Sequence, residues 1–178
     1  MLSKKWNARA LIVTGTTVLG LGATSAILAD TQQANLPVSA SVSANCAIST
    51  SAVAFGAYDP AVANASTALD NQGSVTVTCT SGASTTITLG EGDNANAGST
   101  AAVPLRRMSD GAGTPHYLSY FLYQDGGRST VWGDTGGTGV AHTGTGTSTA
   151  INVYGRVTGG QNVPTGSYAD TVVATVTF

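Results

Sequence analysis

The sequence contains very little charge, and almost none of it is basic. Charged residues make up 9% of the 178 positions, and both lysines, Lys4 and Lys5, lie at the start of the chain. From residue 30 onward, four arginines stand against nine acidic residues, which gives a net charge of −5. Nucleic-acid binding needs a clustered basic face that displaces phosphate counterions. Four scattered arginines therefore exclude nucleic acid as a partner.

Helical periodicity is also missing after residue 30. The sequence there is rich in Val, Thr and Ser, and the whole chain contains 23 glycines. This mixture of β-branched residues and glycine-containing turns predicts an all-β domain. Predicted strands cover residues 36–44, 46–55, 74–79, 85–90, 117–124, 151–157 and 168–178, with long loops at 91–104 and 133–149. Short strands at this spacing predict one β-sandwich.

Residues 1–29 have the layout of a secretory signal peptide. Lys4, Lys5 and Arg9 precede an uncharged, largely apolar stretch that closes on small residues, which predicts cleavage after Ala29. The alternative is a membrane anchor of about twenty residues. The many Gly and Thr residues lower the hydrophobicity of this stretch and favour the signal peptide. We therefore expect an exported protein.

Only two cysteines are present, Cys46 and Cys79. In an exported chain two cysteines most simply form one disulfide, and the alternative is a pair of free buried thiols. A bond across this loop would stabilise the fold by roughly 3–4 kcal/mol according to loop-entropy estimates. The sequence has no CxxC motif or histidine-rich cluster, so no metal site is predicted.

Candidates for catalysis are weak. Asp134-Thr135-Gly136 matches the triplet of aspartic proteases, but that chemistry needs a second carboxylate, and Gly137 replaces the usual hydroxyl residue. The two histidines, His116 and His142, lie in loop-like sequence without a GxSxG nucleophile motif. Residues 93–96 resemble a calcium loop only faintly, and Asn64-Ala65-Ser66 is a glycosylation sequon by pattern alone. The sequence predicts no enzyme activity and no cofactor.

Two alternating segments lie near the ends of the sequence. In residues 168–178 the side chains of Tyr168, Val172, Ala174, Val176 and Phe178 fall on one face, as in a half-buried strand. Chain ends are usually frayed unless another element holds them. An immunoglobulin-like sandwich whose last strand is the penultimate one of the fold would leave a groove and an unpaired edge, and such edges recruit other strands. The segment GSYAD also resembles a tyrosine corner, in which the Tyr168 hydroxyl bonds to nearby backbone.

The other alternating segment, residues 36–44, carries Leu36, Val38, Ala40, Val42 and Ala44 on one face and serines on the other. Together with this arm, an ordered set of motifs resembles the spore coat protein U family, which includes major subunits of archaic (Csu-type) chaperone–usher pili. The motifs are AFGAYDP (54–60), VTVTC (75–79), FLYQDGGRSTVWG (121–133), VYGRV (153–157) and the terminal PxGxYxDxVxxTVxF (164–178). They span nearly the whole chain after residue 30.

The resemblance implies an incomplete immunoglobulin-like β-sandwich, a six-stranded pilin fold that lacks its last strand. The domain organisation would be a signal peptide (1–29), an N-terminal donor-strand arm (30–45) and a pilin domain (46–178). A periplasmic chaperone would lend a strand first. The arm of the next subunit would replace it at the outer-membrane usher by β-strand addition. The product would be a surface pilus with a role in adhesion and biofilm formation.

The resemblance also implies which residues take part in this exchange. Leu36, Val38, Ala40 and Val42 would be the donor residues. Val172, Ala174, Val176 and Phe178 would flank the acceptor groove and bind the chaperone, with the Phe178 carboxylate as its anchor.

Pro37 departs from this pattern because it lacks an N–H group for a β-ladder. Either strand pairing begins at Val38, or Pro37 faces a position that needs no donor. Two other functions stay open at this point. One is a monomeric secreted sandwich that binds carbohydrate, for which Trp132 with Tyr123 is the candidate aromatic pair. The other is a structural role in a spore coat.

Overall fold

The computed structural model describes residues 30–178, so the predicted signal peptide lies outside the described residues. Of these, residues 30–40 belong to one unit, and Ser41–Phe178 form another. The described part of the first unit contains no helix or strand, and its side chains are exposed. Within residues 30–178 there is no helix long and apolar enough to cross a membrane.

The second unit is built from eight β-strands in two antiparallel sheets. The strands are β1 (Cys46–Ser51), β2 (Leu69–Cys79), β3 (Ser84–Leu89), β4 (Arg106–Ser109), β5 (Tyr117–Tyr123), β6 (Val140–Thr143), β7 (Ser148–Val157) and β8 (Ala174–Thr177). One sheet has the order β1-β2-β7-β5-β4, and the other has the order β6-β3-β8. The prediction of an all-β sandwich is therefore confirmed.

The core lies between the two sheets, where alternating side chains of the strands meet. In β5 the even-numbered residues are buried and the odd-numbered ones face outward, as period-two alternation requires. The buried apolar residues are Val75, Val77, Cys79, Ile87, Leu89, Leu118, Tyr120, Leu122, Trp132, Val153 and Val157. Both sheets thus contribute to one apolar layer.

A buried arginine joins the two sheets. Arg106 of β4 is only 1% exposed, and its guanidinium donates to the carbonyls of Leu89 (2.7 Å), Gly90 (2.8 Å) and Trp132 (2.9 Å). Trp132 in turn donates its indole N–H to the Ile87 carbonyl at 2.9 Å. Burial lowers the pKa of Arg106 to about 10, so this residue remains a cation at neutral pH. These three carbonyls replace part of the hydration shell that the charge loses on burial, and Arg106 Nη1 has no hydrogen-bond partner among residues 30–178.

Two short strands differ from the sequence prediction. β4 was not predicted, and β6 together with the first residues of β7 falls inside the segment 133–149 that was predicted to be a loop. The predicted strand over residues 168–178 is paired as a regular strand only from Ala174 to Thr177, although Ala169 forms an isolated bridge with Ser109. β3, β5 and most of β7 lie where alternation predicted them, whereas β2 begins at Leu69 rather than at residue 74 and β1 ends at Ser51 rather than at residue 55. The strand predicted over residues 36–44 is not formed.

Candidate functional site: an open groove between two strand edges

The last strand, β8, lies at an edge of the three-stranded sheet. It pairs with β3 on one side, and no strand of residues 30–178 pairs with its other side. The carbonyls of Val173 and Thr171 accept from Gly90 N–H (2.9 Å) and Asp93 N–H (3.1 Å) on the β3 side. Backbone groups of successive residues point to opposite sides of a strand. The N–H and C=O groups of the even-numbered residues therefore point to the free edge.

The same even-numbered residues turn their side chains inward. Val172, Ala174 and Val176 are half-buried against the core cluster, whereas the residues between them are exposed. Phe178, the fourth predicted acceptor residue, is 55% exposed. The inward face of this segment is apolar, but none of its members reaches full burial. Further apolar side chains would be needed to bury this face of the strand completely.

The facing edge belongs to β1, at the end of the five-stranded sheet. Thr80 N–H donates to the Asn45 carbonyl at 2.9 Å, so Asn45 and Thr80 form a hydrogen-bonded pair. The next pair, Cys46 and Cys79, has Cα atoms 4.1 Å apart, the short spacing of a non-hydrogen-bonded pair. By alternation the backbone groups of Cys46 and the next even-numbered residues point away from β2. This edge is also unpaired within the described residues.

A groove lies between the two edges. One part of it has a volume of about 470 Å³, and a second part of about 610 Å³ continues from it. Four residues line both parts: Val53, Phe55, Met108 and Tyr168. The floor of the first part is formed by the core residues Val75, Leu89, Tyr120, Leu122 and Val153. The first part meets the β1 edge at Thr50 and Ser51 and the β8 edge at Ala174, and its base is apolar. The second part is bounded mainly by residues 53–60 and 163–168, and Val176 and Phe178 line neither part.

One charged group lies in the groove wall. Asp170 accepts hydrogen bonds from the Tyr120 hydroxyl (2.7 Å), from Asn94 N–H (3.2 Å) and from the Asn94 side-chain amide (3.0 Å). Burial raises the pKa of the Tyr120 hydroxyl, and its hydrogen bond to the Asp170 carboxylate raises it further. Sequence reasoning missed Asp170, although its even-numbered position beside Tyr168 and Val172 was a usable signal.

The predicted disulfide between Cys46 and Cys79 is present, so the alternative of two free thiols is wrong. It connects β1 to β2 at the first residue of the free β1 edge. The Tyr168 hydroxyl donates to the Pro164 carbonyl at 2.9 Å, four residues upstream. Both contacts hold chain segments that border the groove.

The arm residues are solvent-exposed. Leu36, Val38 and Val42 have exposures of 84%, 88% and 85%, and Ala40 is exposed as well. Residues 30–45 contain no strand. Exposed aliphatic side chains of this size form an apolar surface that contact with another protein could bury.

The other sequence candidates have structural roles. The Asp134 carboxylate accepts from the Thr88 hydroxyl of β3 at 2.7 Å, and His116 pairs with Asp110 at 2.8 Å. His142 lies on β6. The side chain of Asn64 is buried and bonds to Asp59 N–H and to the Thr67 carbonyl. Residues 30–178 contain no group of three His, Cys, Asp or Glu residues placed to hold a metal ion.

The aromatic pair suggested for carbohydrate binding is wrong. Trp132 is completely buried in the core, and its only polar group, the indole N–H, is bonded to the Ile87 carbonyl. A sugar ring has no access to it. Tyr123 lies on the outer side of the five-stranded sheet.

Comparison with known proteins adds three findings. Residues 32–175 match the family model of the Spore Coat Protein U domain. The chain is 48% identical over 169 residues to Protein U of Myxococcus xanthus, and the match covers 92% of this chain and 94% of that protein.

The third finding concerns the fold. The structure resembles a chain of the chaperone–tip adhesion subunit pre-assembly complex from archaic chaperone–usher Csu pili of Acinetobacter baumannii, with a TM-score of 0.54 and 20% identity. The match covers 77% of this chain but only 40% of that one. The likeness, the two sheets and the unpaired edges agree with an incomplete immunoglobulin-like sandwich.

Proposed function

The chain belongs to the Spore Coat Protein U domain family, and on this basis we propose that it is a structural subunit of a chaperone–usher surface pilus. Subunits polymerise when the N-terminal arm of one copy enters the groove of the next. In this scheme residues 30–45 are the donor arm and 46–178 the acceptor domain. Residues 1–29 direct export to the periplasm.

The observation that carries the proposal is the open groove between β1 and β8. Its edges present unpaired backbone groups, and its inner wall is a half-buried apolar face. An added strand satisfies both at once, because its backbone pairs with the edge and every second side chain enters the groove. Leu36, Val38, Ala40 and Val42 alternate with the period that such a strand requires.

The energies involved suit a durable polymer. Burial of Leu36, Val38 and Val42 contributes roughly 1.5–3 kcal/mol each. Several ladder hydrogen bonds contribute about 1 kcal/mol each. The gross stabilisation is on the order of 10 kcal/mol, enough for very slow dissociation. A shift of the arm by one residue would place serines in the groove, so alternation selects which face of the arm points inward.

A free groove of this kind is a hazard before assembly, because unpaired edges aggregate. We assign its protection to a periplasmic chaperone that lends a strand to β8 and that binds near Phe178. An outer-membrane usher then exchanges this strand for the arm of the next subunit. The finished fibre would act in adhesion and biofilm formation, and no catalytic step is part of the proposal.

The test is a denaturing, non-reducing gel of protein sheared from the producing cells, with and without boiling. We expect a ladder at monomer spacing that collapses to monomer on boiling. The double variant Val38→Ser/Val42→Ser should abolish the ladder, because it removes apolar side chains from the inserted face. The matched control, Ser39→Ala/Ser41→Ala, changes the opposite face and should keep it. A monomer band in every unboiled lane of the wild type would refute strand exchange.

A second candidate function is a structural component of a spore coat. It is favoured by the family description and by the 48% identity to Protein U over nearly its full length. Immunogold labelling of intact cells and spores separates the two. Label along extended surface fibres supports the pilus, whereas label confined to the spore surface supports the coat.

A further inference from the structure

The outer side of the five-stranded sheet carries a row of aromatic and arginine side chains. Odd-numbered residues of β5 and β4 and even-numbered residues of β7 point to this side. In the register of the sheet, Tyr123 lies opposite Tyr154 and Phe121 lies opposite Arg156. We call this row the outer aromatic face and define it by Arg107, Tyr117, Phe121, Tyr123, Arg128, Tyr154 and Arg156. All seven side chains are partly exposed.

Guanidinium groups cover two of the rings. The Arg107 guanidinium carbon lies 3.9 Å from the centroid of Tyr117, and that of Arg128 lies 5.9 Å from the centroid of Tyr154. A stacked guanidinium keeps its N–H donors in its own plane, where a carboxylate can reach them. Arg107 uses Nε and Nη2 on the carbonyls of Asn94 and Ala95. Its Nη1 forms no hydrogen bond within the part of the chain that the structure describes.

The outer aromatic face also carries arginine side chains, although the chain as a whole is acidic. The arginines are far apart along the chain, yet the fold places three of the four from residues 30–178 on this side of the five-stranded sheet. Asp70 lies within 2.7 Å of Arg156 and 3.4 Å of Arg128, and it balances one of these charges. Arg107 forms no ion pair among residues 30–178, so the face presents a guanidinium that no carboxylate neutralises, on a chain whose net charge after residue 29 is −5. Such a local field attracts anions.

We propose that the outer aromatic face binds an acidic polysaccharide. Phe121 and Tyr123 supply flat apolar surface for the C–H faces of sugar rings. The guanidinium groups beside the rings would bind carboxylates that repeat along the polymer. Tyr117 and Tyr123 are six residues apart on one strand, about 20 Å, which is long enough for several sugar units. The charge pattern favours an acidic glycan over a neutral one.

This site is independent of the groove. The groove lies on the inner side of the sheet and at the edge formed by β1, whereas the outer aromatic face lies on β4, β5 and β7. Strand insertion at the groove leaves the face open. A fibre would therefore present one copy per subunit, and multivalent binding would add avidity for a polymeric ligand.

The test measures binding of the full exported protein, at matched subunit concentration, to polygalacturonate and to neutral dextran. We expect binding to polygalacturonate that weakens as salt is added. Phe121→Ser and Arg107→Gln should each weaken it about tenfold, the loss expected for one good contact to a charged group or ring. Thr78→Ala, on the exposed end of the same side of β2, is the matched control and should bind normally.

Thermal melting of each variant separates lost contacts from lost folding. Arg107→Gln also releases the carbonyls of Asn94 and Ala95, so Phe121→Ser carries the test if that variant melts early. Equal binding of dextran and polygalacturonate would overturn the acidic assignment. Binding of neither polymer would overturn the site. If the same substitutions instead abolish self-association in sedimentation, the face contacts a second copy of the chain and the proposal is wrong.

Discussion

Asp170 is a charged residue in the wall of a largely apolar groove, where a carboxylate without hydrogen-bond partners would be unfavourable. Its carboxylate is held by three donors from Tyr120 and Asn94, so the charge is paired with hydrogen bonds rather than left in an apolar wall. Tyr120 belongs to β5, and Asn94 belongs to the segment that follows β3. The contacts therefore fix the stretch before β8 to both sheets. This position is where the chain changes from its bridge with β4 to its pairing with β3.

The Tyr120–Asp170 contact makes the first prediction. Tyr120→Phe keeps the buried ring but removes the hydroxyl that bonds to the carboxylate. Because hydrogen bonds to charged groups are the stronger ones, we expect the free energy of unfolding to fall by about 1.5–3 kcal/mol. Urea unfolding of the purified protein measures it. Tyr123→Phe, on the outer side of the same strand, is the control and should change stability little; equal effects of the two substitutions would contradict the assignment.

At the scale of the element, β8 has one paired edge and one free edge, and its inner face is half covered. Val176 lies inside, opposite Ile87 in the register with β3, and Thr175 beside it is exposed. The proposed incoming strand completes the burial of Val176 and leaves Thr175 in solvent. Substitutions at Val176 and at Thr175 therefore test the inner and outer sides of the strand separately.

Val176→Ser should weaken the fibre. It removes apolar surface whose full burial is worth roughly 1.5–3 kcal/mol, so the temperature at which unboiled ladders collapse to monomer should fall. Thr175→Ser introduces the same residue type on the outer side, where it removes one exposed methyl group, and should leave that temperature unchanged. A gel series over increasing temperature measures both. If the two variants behave alike, the inner face of β8 is not the surface that an incoming strand covers.

Residues 36–44 alternate regularly but form no strand within the described residues. The strands that were predicted correctly also alternate, and in addition they pair with other strands of the chain. β5 and β7 are examples, and the inward side chains of β8 were also predictable from alternation. β4 was missed because its buried residue is Arg106, and a charged inward residue breaks the pattern. β6 was missed because it has only four residues within a Gly/Thr tract, too few for period-two alternation to be recognised. In each case a contact made at long range, three carbonyls or a pairing with β3, decided the structure.

The groove itself was predictable only in part. Alternation assigns the side chains of Val172, Ala174 and Val176 to one face, but it does not say whether the adjoining backbone edge is paired. That property depends on the order of strands in both sheets. The outer aromatic face was not predictable for the same reason, since its arginines come from β4, β7 and the turn after β5.

At the scale of the whole molecule, few residues are charged, and several of the carboxylates are held by hydrogen bonds that stabilise their ionised form. Asp59, Asp110 and Asp125 each accept backbone N–H bonds within turns, and these bonds lower the pKa of the carboxyl groups below the ordinary value. The pKa of Asp70 is lowered by its hydrogen bonds to Arg156. All four groups therefore favour the folded state when ionised.

The sign of the resulting pH dependence follows from these directions. A carboxyl group with a lowered pKa in the folded state contributes stability that is fully present above its unfolded pKa, near 4, and is lost as the pH falls through the lower folded value. We expect the melting temperature of the purified protein to be nearly constant from about pH 8 down to about pH 5 and to fall below about pH 4. Asp125→Asn removes one of these ionisable groups, so the fall should be shallower in this variant. A melting temperature that stays constant into strong acid would contradict this account, because protonation would then cost the fold nothing.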